Sequence, residues 1–115
     1  MPWYHFLLEF ISGALLANGV PHFVQGICGS PFQTPFASPP GVGESLPVMN
    51  VLWGFVNFVA GALLLHYFQP HGALAWLGWS LFGMGALLLG MQMAAHFGKV
   101  RAGNRKMPIT AARKL

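Results

Sequence analysis

VMNVLWGFVNFVAGALLLHYF (48–68), QPHG (69–72) and ALAWLGWSLFGMGALLLGMQMAAHF (73–97) follow one another without a single Asp, Glu, Lys or Arg. A bilayer core of about 30 Å takes about 20 helical residues at about 1.5 Å each, so both apolar runs are long enough to cross it. The four residues between them carry Pro70 and Gly72, a turn composition that leaves room only for a tight antiparallel hairpin. Tyr67 and Phe68 close the first run, and Trp76 and Trp79 open the second, as amphipathic rings do at membrane interfaces.

Working outward toward the N-terminus, a third apolar run extends from about Trp3 to Gln25, opened by Trp3 and Tyr4 and interrupted by Glu9, Asn18, Pro21 and His22. Pro21 lacks a backbone N–H and disfavours helical geometry at Val20, which predicts a kink or an end there. The run is preceded by no basic segment and followed by no small-residue cleavage site, so it is read as a retained span. The expected fold is an all-α integral membrane protein with three transmembrane helices over about 3–25, 48–68 and 73–97. The second and third form a tight antiparallel hairpin within a membrane domain of residues 1–98.

Toward the C-terminus, all six Lys and Arg residues lie between Lys99 and Lys114, in a basic tail of residues 99–115. Positive residues stay on the cytoplasmic side, which predicts a cytoplasmic tail and an outside N-terminus in a bacterial inner (plasma) membrane. Only 7% of the 115 residues are charged and 55% are apolar, against about 25% charged in a soluble domain, so a water-soluble fold is excluded. The net charge of +4 sits in one tail rather than in a stripe on a folded face. That placement points to anionic lipid, not nucleic acid. Cys28 is the sole cysteine and has no intrachain partner.

The loop of residues 26–47 contains Pro31, Pro35, Pro39, Pro40 and Pro47 and is long for a compact domain. It is expected either to lie on the headgroups with Phe32 and Phe36 dipped inward or to form a lid over the bundle. Lipid provides little hydrophobic drive between helices, so small residues must let backbones approach. Gly78 and Gly85, Gly83 and Gly90, and Gly54 and Gly61 are each one heptad apart, and Gly13 with Ala17 makes a small-xxx-small pair. Such stripes predict helix packing and association with further copies or other membrane subunits.

Ionisable and amide groups at membrane depth are costly and mark function. The antiparallel arrangement sorts them into two layers. The inner one holds Asn18, His22, Gln25, Asn50, Gln92 and His96, expected to form a polar pocket under the loop. The outer one holds His5 and Glu9, with His66 opposite and His71 in the short turn; Glu9, His5 and His66 are expected to handle a proton or cation. His22 and His96 are the residues expected to ligate a cofactor, haem b being the candidate, since imidazoles on facing helices are the usual axial ligands of membrane cytochromes. No metal-ligand spacing, nucleophile elbow, P-loop or dinucleotide fingerprint occurs, so neither a metal site nor an enzyme is expected.

In size and span count the chain is similar to the membrane-anchor subunits of succinate dehydrogenase and fumarate reductase, a likeness of architecture that does not carry function. The leading expectation is an accessory or structural subunit in a homo-oligomer or larger membrane complex. A haem- or quinone-binding redox module and a small oligomeric transporter or channel are the alternatives.

Overall fold

The computed structural model describes residues 2–105; Lys106, Arg113 and Lys114 of the tail lie outside them. Its elements in chain order are α1 (Tyr4–Ile27), two-residue strands β1 (Phe32–Gln33) and β2 (Glu44–Ser45), α2 (Pro47–Tyr67), a 3-10 turn (Gly72–Leu74) and α3 (Ala75–Arg105). Helix accounts for 76% of the described residues, and three helices are long and apolar enough to cross a membrane. The molecule measures 61 × 24 × 21 Å.

Two helix boundaries differ from expectation. α1 does not end at Pro21 but continues to Ile27. The reason is tertiary: Gly19 and Gly26, on either side of the proline, are both pressed onto α2. A methyl built on Gly19 would come within 2.8 Å of the Gly54 carbonyl oxygen, and one on Gly26 within 2.7 Å of the Pro47 carbonyl oxygen. α3 does not stop at Phe97 but runs on to Arg105, carrying Lys99 and Arg101 on its last turns. Gly98 is a weak helix former, but Lys99, Arg101 and Ala102 are good ones and no proline intervenes, so the helix is not halted where its apolar run ends.

The packing also departs from a hairpin of α2 on α3. Although a short turn joins them, both pack along α1, and they make few contacts with each other. The glycines show why. Gly54 and Gly61 of α2 face α1, with Gly54 against the Phe23 backbone nitrogen and Gly19 carbonyl oxygen, and Gly61 against Leu16 and the Ser12 carbonyl oxygen. Ser12 Oγ donates to that same Gly61 carbonyl at 2.7 Å. On the other side of α1, Gly13 meets the Phe82 carbonyl of α3 and Gly85 of α3 meets the Phe10 carbonyl of α1. Each outer helix thus turns its small-residue stripe to α1, and α1 carries small residues on two faces.

The segment of residues 26–47 is folded. β1 and β2 pair antiparallel with Phe32 opposite Ser45 and Gln33 opposite Glu44. Between them the chain turns tightly: the Gly41 amide donates to the Thr34 carbonyl at 2.8 Å and the Gly43 amide to the Pro39 carbonyl at 2.8 Å. Thr34 Oγ1 and Ser45 Oγ share a 2.6 Å hydrogen bond across the pair. Phe32 is the one large apolar side chain buried among the described residues. Phe36, half exposed, rests edge-on against Trp53 with ring centroids 5.6 Å apart.

Candidate functional site

The two ends of the bundle differ in chemistry, and the loop end is the more elaborate. Asn50 opens the second turn of α2 and is fully buried. Its Nδ2 donates to the carbonyls of Phe32 and Ser45, both at 3.1 Å, and of Leu46 at 3.3 Å, so one amide ties both strands to the helix start. Carbonyls only accept, which fixes the amide orientation and leaves Oδ1 facing the His22 ring at 3.0 Å. His22 Nδ1 must therefore donate. In the neutral ring this assigns the hydrogen to Nδ1 and leaves Nε2 as an acceptor.

One helical turn toward the bundle centre the pattern repeats. Asn18 Nδ2 donates to Asn57 Oδ1 at 2.9 Å, and Asn57 Nδ2 donates to the Trp53 carbonyl at 2.8 Å. On α3, His96 Nε2 donates to the Gly41 carbonyl at 2.7 Å, pinning the tip of the hairpin to the third helix. The Arg101 guanidinium carbon lies 5.3 Å from the centroid of the Phe32 ring, a cation–π contact that makes a second link between α3 and the hairpin.

Under this cap lies a cavity of about 320 Å³ bounded by Asn18, His22, Gln33, Thr34, Trp53 and Phe97, with Gln92 exposed at its rim. Two of its residues hold buried polar atoms with no hydrogen-bond partner: the Gln33 Oε1 acceptor and the Trp53 Nε1 donor. Unpaired buried groups of this kind cost about 1–3 kcal/mol each, so they are rare unless something else satisfies them. The walls are aromatic as well as polar. His22 lies 5.4 Å from Phe32, 6.4 Å from Phe97 and 6.5 Å from Trp53, and Phe32 lies 4.8 Å from Phe97, centroid to centroid. Beside the cavity, sharing Met93 and Phe97 with it, runs an apolar groove of about 600 Å³ between α1 and α3, lined by Ala17, Val20, Val24 and Gly90.

No protein-family model matches this chain, and neither does any curated protein or solved structure.

Of the expected inner residues, Asn18, His22 and Asn50 come together and Gln92 stands at the rim, whereas Gln25 lies in the apolar groove. His22 and His96 do not pair. Phe97 touches both rings, 6.4 Å from one and 5.1 Å from the other, and His96 has given its Nε2 to Gly41. The facing bis-imidazole arrangement that a haem needs is not formed by these two residues. Among the described residues no group of three His, Cys, Asp or Glu side chains is placed to hold a metal ion.

At the turn end, Glu9 is 1% exposed and both carboxylate oxygens lack a partner among the described residues. Its expected neighbour His66 is instead exposed and lies edge-on against Tyr67. Five residues beyond Gly61, His66 is rotated by about 140° from the face that α2 turns to α1. His71 of the turn takes that place: His5 and His71 are the imidazoles in electrostatic reach of Glu9. Gln33, Thr34 and Trp53 were not among the residues expected from sequence. The one signal for them was the density of Pro and Gly around Gln33, which marks a built loop rather than a slack one.

Proposed function

We propose that the protein is a membrane-embedded binding module for a lipid-soluble molecule with a small aromatic head, of the quinone and quinol class. One observation carries this reading: a donor, Trp53 Nε1, and an acceptor, Gln33 Oε1, are buried without partners in the wall of one capped cavity. A ring bearing oxygens on opposite sides would satisfy both once the two side chains turn from the wall into the cavity, one oxygen accepting from the indole and a hydroxyl donating to the amide carbonyl. The uncommitted His22 Nε2 adds a second acceptor, and the rings of Phe32, Phe97 and Trp53 give flat walls. The groove that shares Met93 and Phe97 is where an apolar tail would lie. The volume suits a single ring, at the lower end of ligand cavities, which run from about 300 to 1,000 Å³.

Titration of the detergent-solubilised full chain with a decyl-substituted benzoquinone and its quinol, read by tryptophan fluorescence, tests it. Saturable quenching is expected, with the Trp53→Phe variant losing the saturable component and Gln33→Leu or His22→Leu weakening affinity at least about tenfold, the worth of one buried hydrogen bond. Linear, non-saturating quenching, or unchanged affinity in all three variants, would remove the reading.

A second reading, an accessory subunit of a homo-oligomer or larger membrane complex, is favoured by a different observation. Gly83 and Gly90 lie one heptad apart on α3, and a methyl built on either meets nothing within 4 Å. They are the small residues of the span that the monomer leaves unused, and close helix approach is what such residues permit. In this reading the basic end of α3 rests on anionic lipid at the cytoplasmic face.

A further inference from the structure

Glu9 is the one acidic side chain buried in the bundle among the described residues. It is one of two acidic residues in the chain, it sits on the second turn of α1, and 1% of its surface is exposed. Asn18, Asn50, Asn57, Ser12 and His96 all have partners at 3.3 Å or less, whereas neither oxygen of Glu9 has one. Nearby, His5 Nδ1 is also buried and also unpartnered. The two residues are four apart and therefore share a helical face.

The surroundings are built around this carboxyl. A methyl on Gly78 of α3 would collide with Glu9 Oε2 and come within 2.8 Å of Pro70 Cβ, so the glycine leaves the space that the carboxyl fills. Pro70 is buried over it and His71 follows in the turn, its Nδ1 donating to the Gln69 carbonyl at 3.0 Å. The His5 ring stands 6.3 Å from that of His71 and 5.1 Å from that of Phe68. His71 itself is exposed, so a line of three titratable groups runs from the surface to the buried carboxyl: His71, His5, Glu9. α3 contributes no titratable group at this level, and the two on α2, His66 and Tyr67, are exposed and lie edge-on against each other.

We propose that Glu9 is a proton-binding site that exchanges with the medium at the turn end of the bundle, with His5 and His71 passing the proton. An unpaired carboxylate is too costly in this setting, so the group carries a proton at rest; exposed His71 meets the medium with its uncommitted Nε2, and His5, whose Nδ1 has no partner among the described residues, stands between that ring and the carboxyl. The site is independent of the cavity at the loop end.

The experiment is labelling of the full chain in bilayers with dicyclohexylcarbodiimide, an apolar reagent that reacts with protonated carboxyls. The carboxyl proton moves to one carbodiimide nitrogen and the carboxylate oxygen bonds to the central carbon; in the absence of water the acyl group then shifts from that oxygen to the other nitrogen, giving a stable N-acylurea that keeps every atom of the reagent, so peptide mapping reads the adduct on the wild-type chain. A water-soluble carbodiimide on exposed Glu44 serves as the positive control. The expected result is an adduct on Glu9 that is absent in Glu9→Gln and declines as the medium is taken from about pH 5 to about pH 9. His5→Phe and His71→Phe are each expected to move the midpoint of that decline, since these are the two rings in electrostatic reach of the carboxyl. No adduct on Glu9 while Glu44 reacts, or an adduct indifferent to pH, would overturn the proposal. An unmoved midpoint in both His5→Phe and His71→Phe would overturn the route through the imidazoles.

Discussion

At the scale of single residues, Asn50 does more than any other side chain to join loop and bundle. Replacement by Leu keeps the branched shape but strands the Phe32 and Ser45 carbonyls and the His22 N–H together. The expected loss is about 3 kcal/mol of stability in detergent, read by thermal unfolding, with amide exchange in residues 32–45 rising before the helices open. His22→Ala and Asn50→Ala should be non-additive by about 1 kcal/mol, because each removes the other's partner. His22 and His96, which share no bond, should instead behave additively. The i,i+4 spacing of Asn18 with His22 was readable from the sequence and put both on one face. Their partners were not, because Asn50 and Asn57 lie 28 and 39 residues away from them and only the packing of α1 on α2 sets that register.

At the scale of elements, the hydropathy pattern gives the helix boundaries to within a few residues everywhere except the end of α3, which runs past Phe97 to Arg105, and it gives the Pro–Gly turn after the second span. It does not say which helix lies in the middle. Periodic glycines on every span made each pairing equally plausible, and the short turn argued for α2 on α3. What decides it is that α1 carries small residues on two faces, Gly19 and Gly26 on one and Gly13 on another, while each outer helix uses one. The glycines then divide into two experimental classes. Gly54→Leu and Gly85→Leu drive a side chain into the α1 backbone and should each cost at least about 3 kcal/mol, by thermal unfolding. Gly83→Leu and Gly90→Leu should leave the monomer's stability within about 0.5 kcal/mol, and any change they make should appear in native mass as altered association. The hairpin of residues 32–45 was illegible for another reason: two-residue strands are too short to show alternation, and the segment is held by side chains from α2 and α3.

At the scale of the whole molecule, the ends are chemically opposite. Cys28, the only thiol, is exposed just past α1 at the loop end, the same end that carries Lys99 and Arg101. If positive charge sets orientation, a membrane-impermeant maleimide should leave Cys28 unmodified in intact cells and label it in inverted vesicles. Labelling of intact cells would reverse the topology, placing the Glu9 end inside and the capped cavity outside. A 31-residue α3 spans about 46 Å at about 1.5 Å per residue, so its last turns project beyond a bilayer core of about 30 Å. Arg101 and His96 can therefore reach over the hairpin from that projecting segment.

The central place of α1 bears on how the chain is made. Ribosomes deliver helices in order, and the first of these three to emerge is the least apolar of them. It enters the membrane with Glu9, Ser12, Asn18 and His22 exposed to lipid, and it has to wait for the synthesis of α2 and then α3 before each of its two faces is covered. Insertion and tertiary assembly are then one coupled process in which the later spans retain the earlier one, and a nascent chain halted before Pro47 is the form most open to slipping back out or to being captured by quality-control proteases.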